Sequence, residues 1–159
     1  MDATTATLTE LVQAFPRLFK AQLPMVPGYV DDGWHDLTTD LFARIDGQLS
    51  EAQARRFQVV QIKEKLGGLR VYFRIDGPPD RQKASDAGPS GAEASQDHRL
   101  RHEVLALIAS AQDEASRRCQ VCGCGGRLRR FPGLLRVLCE RHAADPPQPV
   151  YEASSLPPT

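Results

Sequence analysis

Phe57-Gln58-Val59-Val60-Gln61-Ile62-Lys63, then Glu64-Lys65-Leu66-Gly67-Gly68, then Leu69-Arg70-Val71-Tyr72-Phe73-Arg74-Ile75 is the stretch that decides the fold class. Val59, Val60 and Ile62 are β-branched, and Leu69, Val71, Phe73 and Ile75 alternate with Arg70, Tyr72 and Arg74. Such alternation sorts apolar and polar side chains onto opposite faces of a strand. The glycine pair supplies the backbone freedom that a tight reversal needs. The stretch therefore predicts an antiparallel hairpin, with strands over 57–63 and 69–75 and one buried face. A lone hairpin is marginal in water, so helices must cover that face.

Helical patterns lie on both sides. Leu8, Leu11, Val12, Phe15, Leu18 and Phe19 recur with the helical period over 7–20, where Pro16 should end or kink the helix. Residues 24–33, with Pro24, Pro27, Gly28 and Gly33, read as a loop. Asp36 is placed to cap a second helix that carries Leu37, Leu41, Phe42 and Ile45 on one face, with Gly47 near its end. Beyond the hairpin, Asp76-Gly77-Pro78-Pro79 stops the strand, and no periodicity follows until Asp97. From there Leu100, Val104, Leu107, Ile108, Ala111 and Ala115 form a helical stripe that can run to Arg118. The expected organisation is a helix–helix–hairpin region over 1–76, a flexible linker over 77–96, a helix plus zinc module over 97–142, and a Pro-rich disordered tail over 143–159.

At 159 residues, with 41% hydrophobic and 25% charged side chains, the chain has the composition of a soluble domain. Twenty basic residues balance twenty acidic ones, so no global field selects nucleic acid or membrane. No apolar run approaches the roughly 18 residues of a membrane span, and the Met1-Asp2-Ala3-Thr4-Thr5 start lacks the features of a signal peptide. The expectation is a cytoplasmic protein without a membrane partner.

All four cysteines fall between positions 119 and 139. Cys119-x2-Cys122 is followed, after sixteen residues, by Cys139-x2-His142. Sulfur and nitrogen donors at this spacing suit tetrahedral zinc, because a two-residue gap lets one tight turn aim both side chains at one ion. Gly123, Gly125 and Gly126 follow the first pair, where the backbone must curl close to the sulfurs. Leu128 and Leu134–Leu138 can form a hairpin turned by Phe131-Pro132-Gly133, as in a zinc ribbon or treble-clef-like module. Buried free thiols and a redox Cys-x-x-Cys are the competing readings; the paired spacing disfavours the first, and the lack of a surrounding βαβ pattern disfavours the second. Cys124 reads as a spare thiol. Four protein donors close the coordination sphere, so the expected cofactor is one structural Zn²⁺ per chain.

Asp32-Gly33-Trp34-His35-Asp36-Leu37, Val60-Gln61-Ile62-Lys63-Glu64-Lys65-Leu66-Gly67-Gly68-Leu69-Arg70-Val71-Tyr72, Cys119-x2-Cys122-Gly123 and Leu138-Cys139-x2-His142 together resemble a family of small uncharacterised bacterial and phage-borne zinc-knuckle proteins. The likeness runs over roughly residues 30–142 apart from the linker. The chain departs from it at Leu66, where an aromatic is usual, at Cys124, and in its longer linker. The resemblance implies the architecture and the metal site, and it implies no activity.

Further candidates are weaker. Trp34 beside His35 and Asp36 is either a recognition aromatic or, more often for such a pattern, the core anchor of a helix start. Lys63, Lys65, Arg70 and Arg74 form either an anion- or partner-binding edge or a solvated strand face that Glu64 partly neutralises. Seven arginines, including Arg129 and Arg130, stand between Arg117 and His142 against Glu140 alone. They either grip phosphates or neutralise acids elsewhere, such as Asp97, Glu103, Asp113 and Glu114. No nucleophile–base set stands out, and His98 and His102 read as exposed helix residues. The sequence thus points to an α+β fold with N-terminal helices, a β-hairpin, a long helix and a C-terminal zinc-ribbon or knuckle module. The functional expectation is a non-enzymatic binding protein that acts by protein–protein contact as an inhibitor, immunity or phage accessory factor. Candidate partner-binding residues are Trp34, Lys63, Lys65, Arg70, Arg129 and Arg130. The alternative is a nucleic-acid-binding zinc protein that uses the Arg117–Arg141 cluster.

Overall fold

The computed structural model describes residues 3–20, 30–77 and 91–145. The loop expected over 24–29, the linker over 78–90 and the tail from Pro146 lie outside the described residues. The fold is α+β, and its elements, in chain order, are α1 (Ala3–Ala14), α2 (Pro16–Phe19), a 3₁₀ turn (Asp32–Trp34), α3 (His35–Gln48), α4 (Glu51–Arg56), β1 (Phe57–Lys65), β2 (Gly68–Ile75), α5 (Gly91–Ala115), β3 (Arg127–Phe131), β4 (Leu134–Leu138) and α6 (Glu140–Ala144).

β1 and β2 form the expected antiparallel hairpin, from Phe57 opposite Ile75 to Lys65 opposite Gly68. Its loop is tighter than the expected Glu64–Gly68 connection. Only Leu66 and Gly67 lie between the last paired residues, and both have positive φ, at 55° and 79°. That is the backbone of a type I′ reversal, which follows the twist of the flanking strands. The pairing slips at Val60, which has no partner between Val59↔Phe73 and Gln61↔Tyr72. This bulge turns Val60 outward and lets both Val59 and Ile62 reach the core.

The inner face of the hairpin is covered by helices, as a two-stranded sheet requires. Phe57, Val59, Ile62, Leu69 and Val71 join Leu11, Leu18 and Phe19 from α1 and α2, and Trp34, Leu37, Leu41, Phe42 and Ile45 from the 3₁₀ turn and α3. Phe19 meets Phe42 edge-on at 5.1 Å, and Phe57 stacks on Phe73 at 5.2 Å. α5 closes the core with Leu100, Val104, Leu107, Ile108, Ala111 and Ala115, the stripe read from its sequence. Gln112 extends this contact by donating to the carbonyl oxygen of Leu69 at 3.0 Å.

Several boundaries differ from expectation for local reasons. Phe15, the residue before a proline, leaves the helical region at φ −125° and ψ 59°, so the 7–20 pattern splits into α1 and α2, with Pro16 at the first position of α2. Asp36 does not cap α3. Trp34 occupies the N-cap without a side-chain hydrogen bond, and Asp36 lies in the first turn, where its charge still suits the helix dipole. α4 was not expected; Ser50 and Gln53 form a complete capping box at its start. α5 begins at Gly91, so residues 91–96 are helical rather than linker, and it ends at Ala115, short of Arg118.

Candidate metal centre

The chain leaves α5 through a turn at Ser116–Arg118 and enters a tight loop. Its backbone closes on itself: Gly123 N–H donates to Cys119 O at 2.8 Å, and Cys119 N–H donates to Cys124 O at 2.7 Å. Gly123 has φ +74°, and a Cβ on Gly126 would lie 2.9 Å from the Cys119 nitrogen, so both glycines serve the curl. Gly125 has open space around it and serves no such need. This knuckle carries Cys119 and Cys122. β3 and β4 then pair from Arg127 opposite Leu138 to Phe131 opposite Leu134, around the Pro132-Gly133 turn. The second ligand pair is not on a knuckle. Cys139 is the N-cap of α6 and His142 sits in its first turn, so both face the same side of one helix start. One knuckle, a hairpin and a helix start make a treble-clef-like arrangement rather than a two-knuckle ribbon.

The ligand atoms of Cys119, Cys122, Cys139 and His142 all lie within 4.8 Å of one another. His142 Nδ1 is 3.4 Å from Cys119 Sγ and 3.3 Å from Cys139 Sγ, and Cys122 Sγ is 3.9 Å from Cys139 Sγ. A tetrahedral zinc with ordinary bond lengths would separate sulfurs by about 3.8 Å and sulfur from nitrogen by about 3.5 Å. These three separations match such an ion, and the four donors stand close enough together to hold one. Cys119 is buried and its thiol is pushed up by that burial. Cys139 is held down to about 6, first by a backbone hydrogen bond from His142, so it is the donor most ready to bind as thiolate. Cys124 lies 3.2 Å from Cys122 Sγ yet outside the four-donor set. Its thiol is pushed up to about 12, chiefly by its hydrogen bond with Cys122, which keeps it a protonated neighbour.

The module is attached to the helical body by backbone and polar contacts that sequence reading did not find. Gly33 N–H donates to Gln120 O at 2.9 Å, and a Cβ on Gly33 would lie 2.1 Å from Cys119 O. The indole N–H of Trp34 donates to Arg118 O at 3.2 Å. Between them lies a buried network. Gln120 donates to Asp31 at 2.7 Å and accepts from the Val137 N–H at 2.7 Å, while Arg136 pairs with the other oxygen of Asp31. Asp31, Gln120 and Arg136 are all buried. Burial of an ion pair is tolerable only when its remaining donors and acceptors are matched, as Gln120 does here. The short stretch Asp31–Trp34 is thus a docking strip for the knuckle.

Trp34 is fully buried, so the core-anchor reading applies and it offers nothing to a partner. The arginine cluster is largely paired within the module. Arg117 meets Asp113 at 2.7 Å, Arg118 meets Glu114 at 2.5 Å, and Arg127 and Arg129 meet Glu140 at 2.9 and 2.6 Å. Arg130 is exposed. On the outer face of the first hairpin, Lys63 lies over the Tyr72 ring at 5.4 Å, with Arg70 and Lys65 along the same row. Glu64 does not neutralise that row; strand alternation turns it away, and its carboxylate accepts the Gly67 N–H at 2.5 Å. No helix among the described residues is long and apolar enough to cross a membrane. No family model, curated protein or solved structure matches the chain.

Proposed function

We propose that Cys119, Cys122, Cys139 and His142 hold one structural zinc ion in a non-enzymatic binding protein that acts by contact with another protein. The observation that carries this reading is the convergence of four protein donors within 4.8 Å of one another, three of their separations close to those around tetrahedral zinc. Three sulfurs and one imidazole nitrogen favour zinc among the common divalent ions. A filled set of four leaves no position for an activated water, so the ion supplies cross-linking rather than chemistry. Thiolate ligation also suits a reducing compartment, in keeping with a cytoplasmic protein.

Internal pairing of the arginine cluster supports a protein partner over nucleic acid. Five of the seven arginines meet Asp113, Glu114, Glu140 or Asp31, which lowers the charge the cluster can offer to phosphates. In keeping with the resemblance of the hairpin and knuckle motifs to phage-borne zinc-knuckle proteins, we assign the chain the role of an inhibitor, immunity or phage accessory factor. Two measurements test the reading. Elemental analysis should return one zinc per chain, lost in Cys139→Ser. A stoichiometric complex that survives nuclease should be recovered by pull-down. A salt-sensitive gel shift that Arg129→Glu/Arg130→Glu abolishes, with no such complex, would overturn the choice of partner.

A further inference from the structure

Leu66 is anomalous twice over. It occupies a left-handed position at φ +55°, which is unfavourable for a branched L-residue, and it is 67% exposed, so burial does not offset that strain. A type I′ loop of this kind ordinarily takes Asn-Gly. Strain that the fold does not use points to a function. Leu128 stands beside the next residue, Gly67: its Cδ1 would lie 2.4 Å from a Cβ there, and it is 56% exposed. The two leucines come from different hairpins and adjoin one glycine, Leu66 in sequence and Leu128 in space, so the Gly67 turn is bordered by two exposed apolar side chains, an apolar knob.

The surroundings of the knob are basic. Lys65 precedes Leu66, Lys63 and Arg70 follow along the outer face of the first hairpin, and Arg130 lies two residues from Leu128 on the same face of β3. Glu64 is the one carboxylate at the loop, and it is engaged by the Gly67 N–H. Four cations thus stand against one carboxylate, and none of the four forms an ion pair among the described residues.

We propose that the Leu66–Leu128 knob and its Lys63, Lys65, Arg70 and Arg130 rim are the docking site for an acidic protein segment that carries bulky apolar side chains. This rests on the protein-contact reading above and names the chemistry of the partner. An apolar centre with a charged rim is the usual layout of a protein-binding hot spot. Single-stranded nucleic acid would need aromatic faces for its bases, and the knob has none; the half-exposed Tyr72 ring on the strand behind it already carries Lys63 at 5.4 Å.

The test uses the full chain loaded with zinc, and its probes are an array of short Glu/Asp-rich peptides with leucines, matched arrays with serines for leucines and lysines for acids, and oligothymidine. The wild type should retain the acidic, leucine-bearing peptides in a salt-sensitive manner. Leu66→Asn should weaken that binding by about tenfold or more while raising the thermal midpoint, because asparagine tolerates the left-handed position. Leu128→Ser should also lower binding. Unchanged binding in Leu66→Asn, or a lower thermal midpoint in that variant, would overturn the site. So would retention of oligothymidine in place of the peptides. A cellular protein cross-linked equally well to wild type and Leu66→Asn would leave the protein-contact reading standing and overturn this site alone. Absence of both peptide binding and any cross-linked partner would overturn both.

Discussion

The helical body and the metal module are held together by different physics. In the body, one continuous cluster of apolar side chains runs from α1 through the first hairpin to α5, with Trp34, Phe19, Phe42 and Phe57 fully buried. In the module, Cys119, Val137 and Leu138 are the buried apolar residues, and they do not join that cluster. The body can stand on burial, while the module has, in place of a core, a Cys/His cluster that could hold a metal ion and the Asp31–Gln120–Arg136 network. A small module with so little core needs such a staple.

Metal removal should break this contrast most strongly. Structural zinc contributes on the order of 10 kcal/mol to the folding of small peptide modules. Chelation, or Cys139→Ser, is expected to abolish hydrogen-exchange protection over 117–144 while α3, β1 and β2 keep theirs. Loss of protection in both regions together would show one cooperative unit instead of two. Acid should act like the chelator. Folding lowers the Cys139 thiol from its ordinary 9.0 to about 6, so the stability it contributes is fully present above pH 9 and lost as pH falls through about 6. Bound zinc competes with that proton, so the release midpoint, read with a chromogenic chelator, should fall at or below pH 6.

Next in size is the buried pair. Asp31→Ala leaves Arg136 buried without its carboxylate and should cost about 3–5 kcal/mol. Asp31→Ala combined with Arg136→Met removes both charges and should recover most of the loss. Denaturant unfolding of the single and double variants checks this, and equal losses would mean that the cost does not come from the buried Arg136 charge.

This network shows where sequence reading stops. The α5 stripe, the hairpin and the Cys/His cluster were legible because each is a local pattern: a period along one element, or a two-residue gap. Asp31 meets Gln120 and Arg136 across separations of 89 and 105 residues, and no periodicity links them. Asp31 read as a loop residue and Arg136 as one member of a basic cluster, and only the fold converts them to a buried pair. α4 was missed for another reason. Its six residues are too short for a helical stripe, although Ser50 and Gln53 already spelled a capping box. At the module's second ligand pair, spacing alone does not separate a knuckle from a helix start, and α6 supplied the helix start.

A smaller effect separates two glycines that the sequence does not distinguish. Gly33→Ala would drive a Cβ into Cys119 O and Gly123 N at 2.1 and 2.6 Å, both of them backbone atoms. It should cost about 1–3 kcal/mol and weaken zinc retention, because the clash falls on the knuckle. Gly47→Ala meets nothing within 4 Å on α3 and should stabilise the body by about 0.5–1 kcal/mol. Thermal melts of the two variants should therefore shift in opposite directions. Shifts of the same sign would mean that the 3₁₀ turn and the knuckle can separate without loss.

The least effect is expected from Cys124→Ser, and it sharpens the ligand set. Cys124 Sγ sits 3.2 Å from Cys122 Sγ, close enough to replace it, yet His142 and Cys139 complete the set with Cys122. A thiol held protonated at about 12 is a poor competitor for the ion. Serine at this exposed position should change stability by less than about 0.5 kcal/mol and leave the zinc stoichiometry unaltered. Cys122→Ser, the matched variant, should lose the metal. If zinc instead stays in Cys122→Ser and leaves in Cys124→Ser, the ion sits one donor further along the loop. The knuckle would then close through a four-residue gap, Cys119-x4-Cys124, and the module's attachment through Gly33 and Gln120 would be unchanged, because both contacts run through backbone on the Cys119 side.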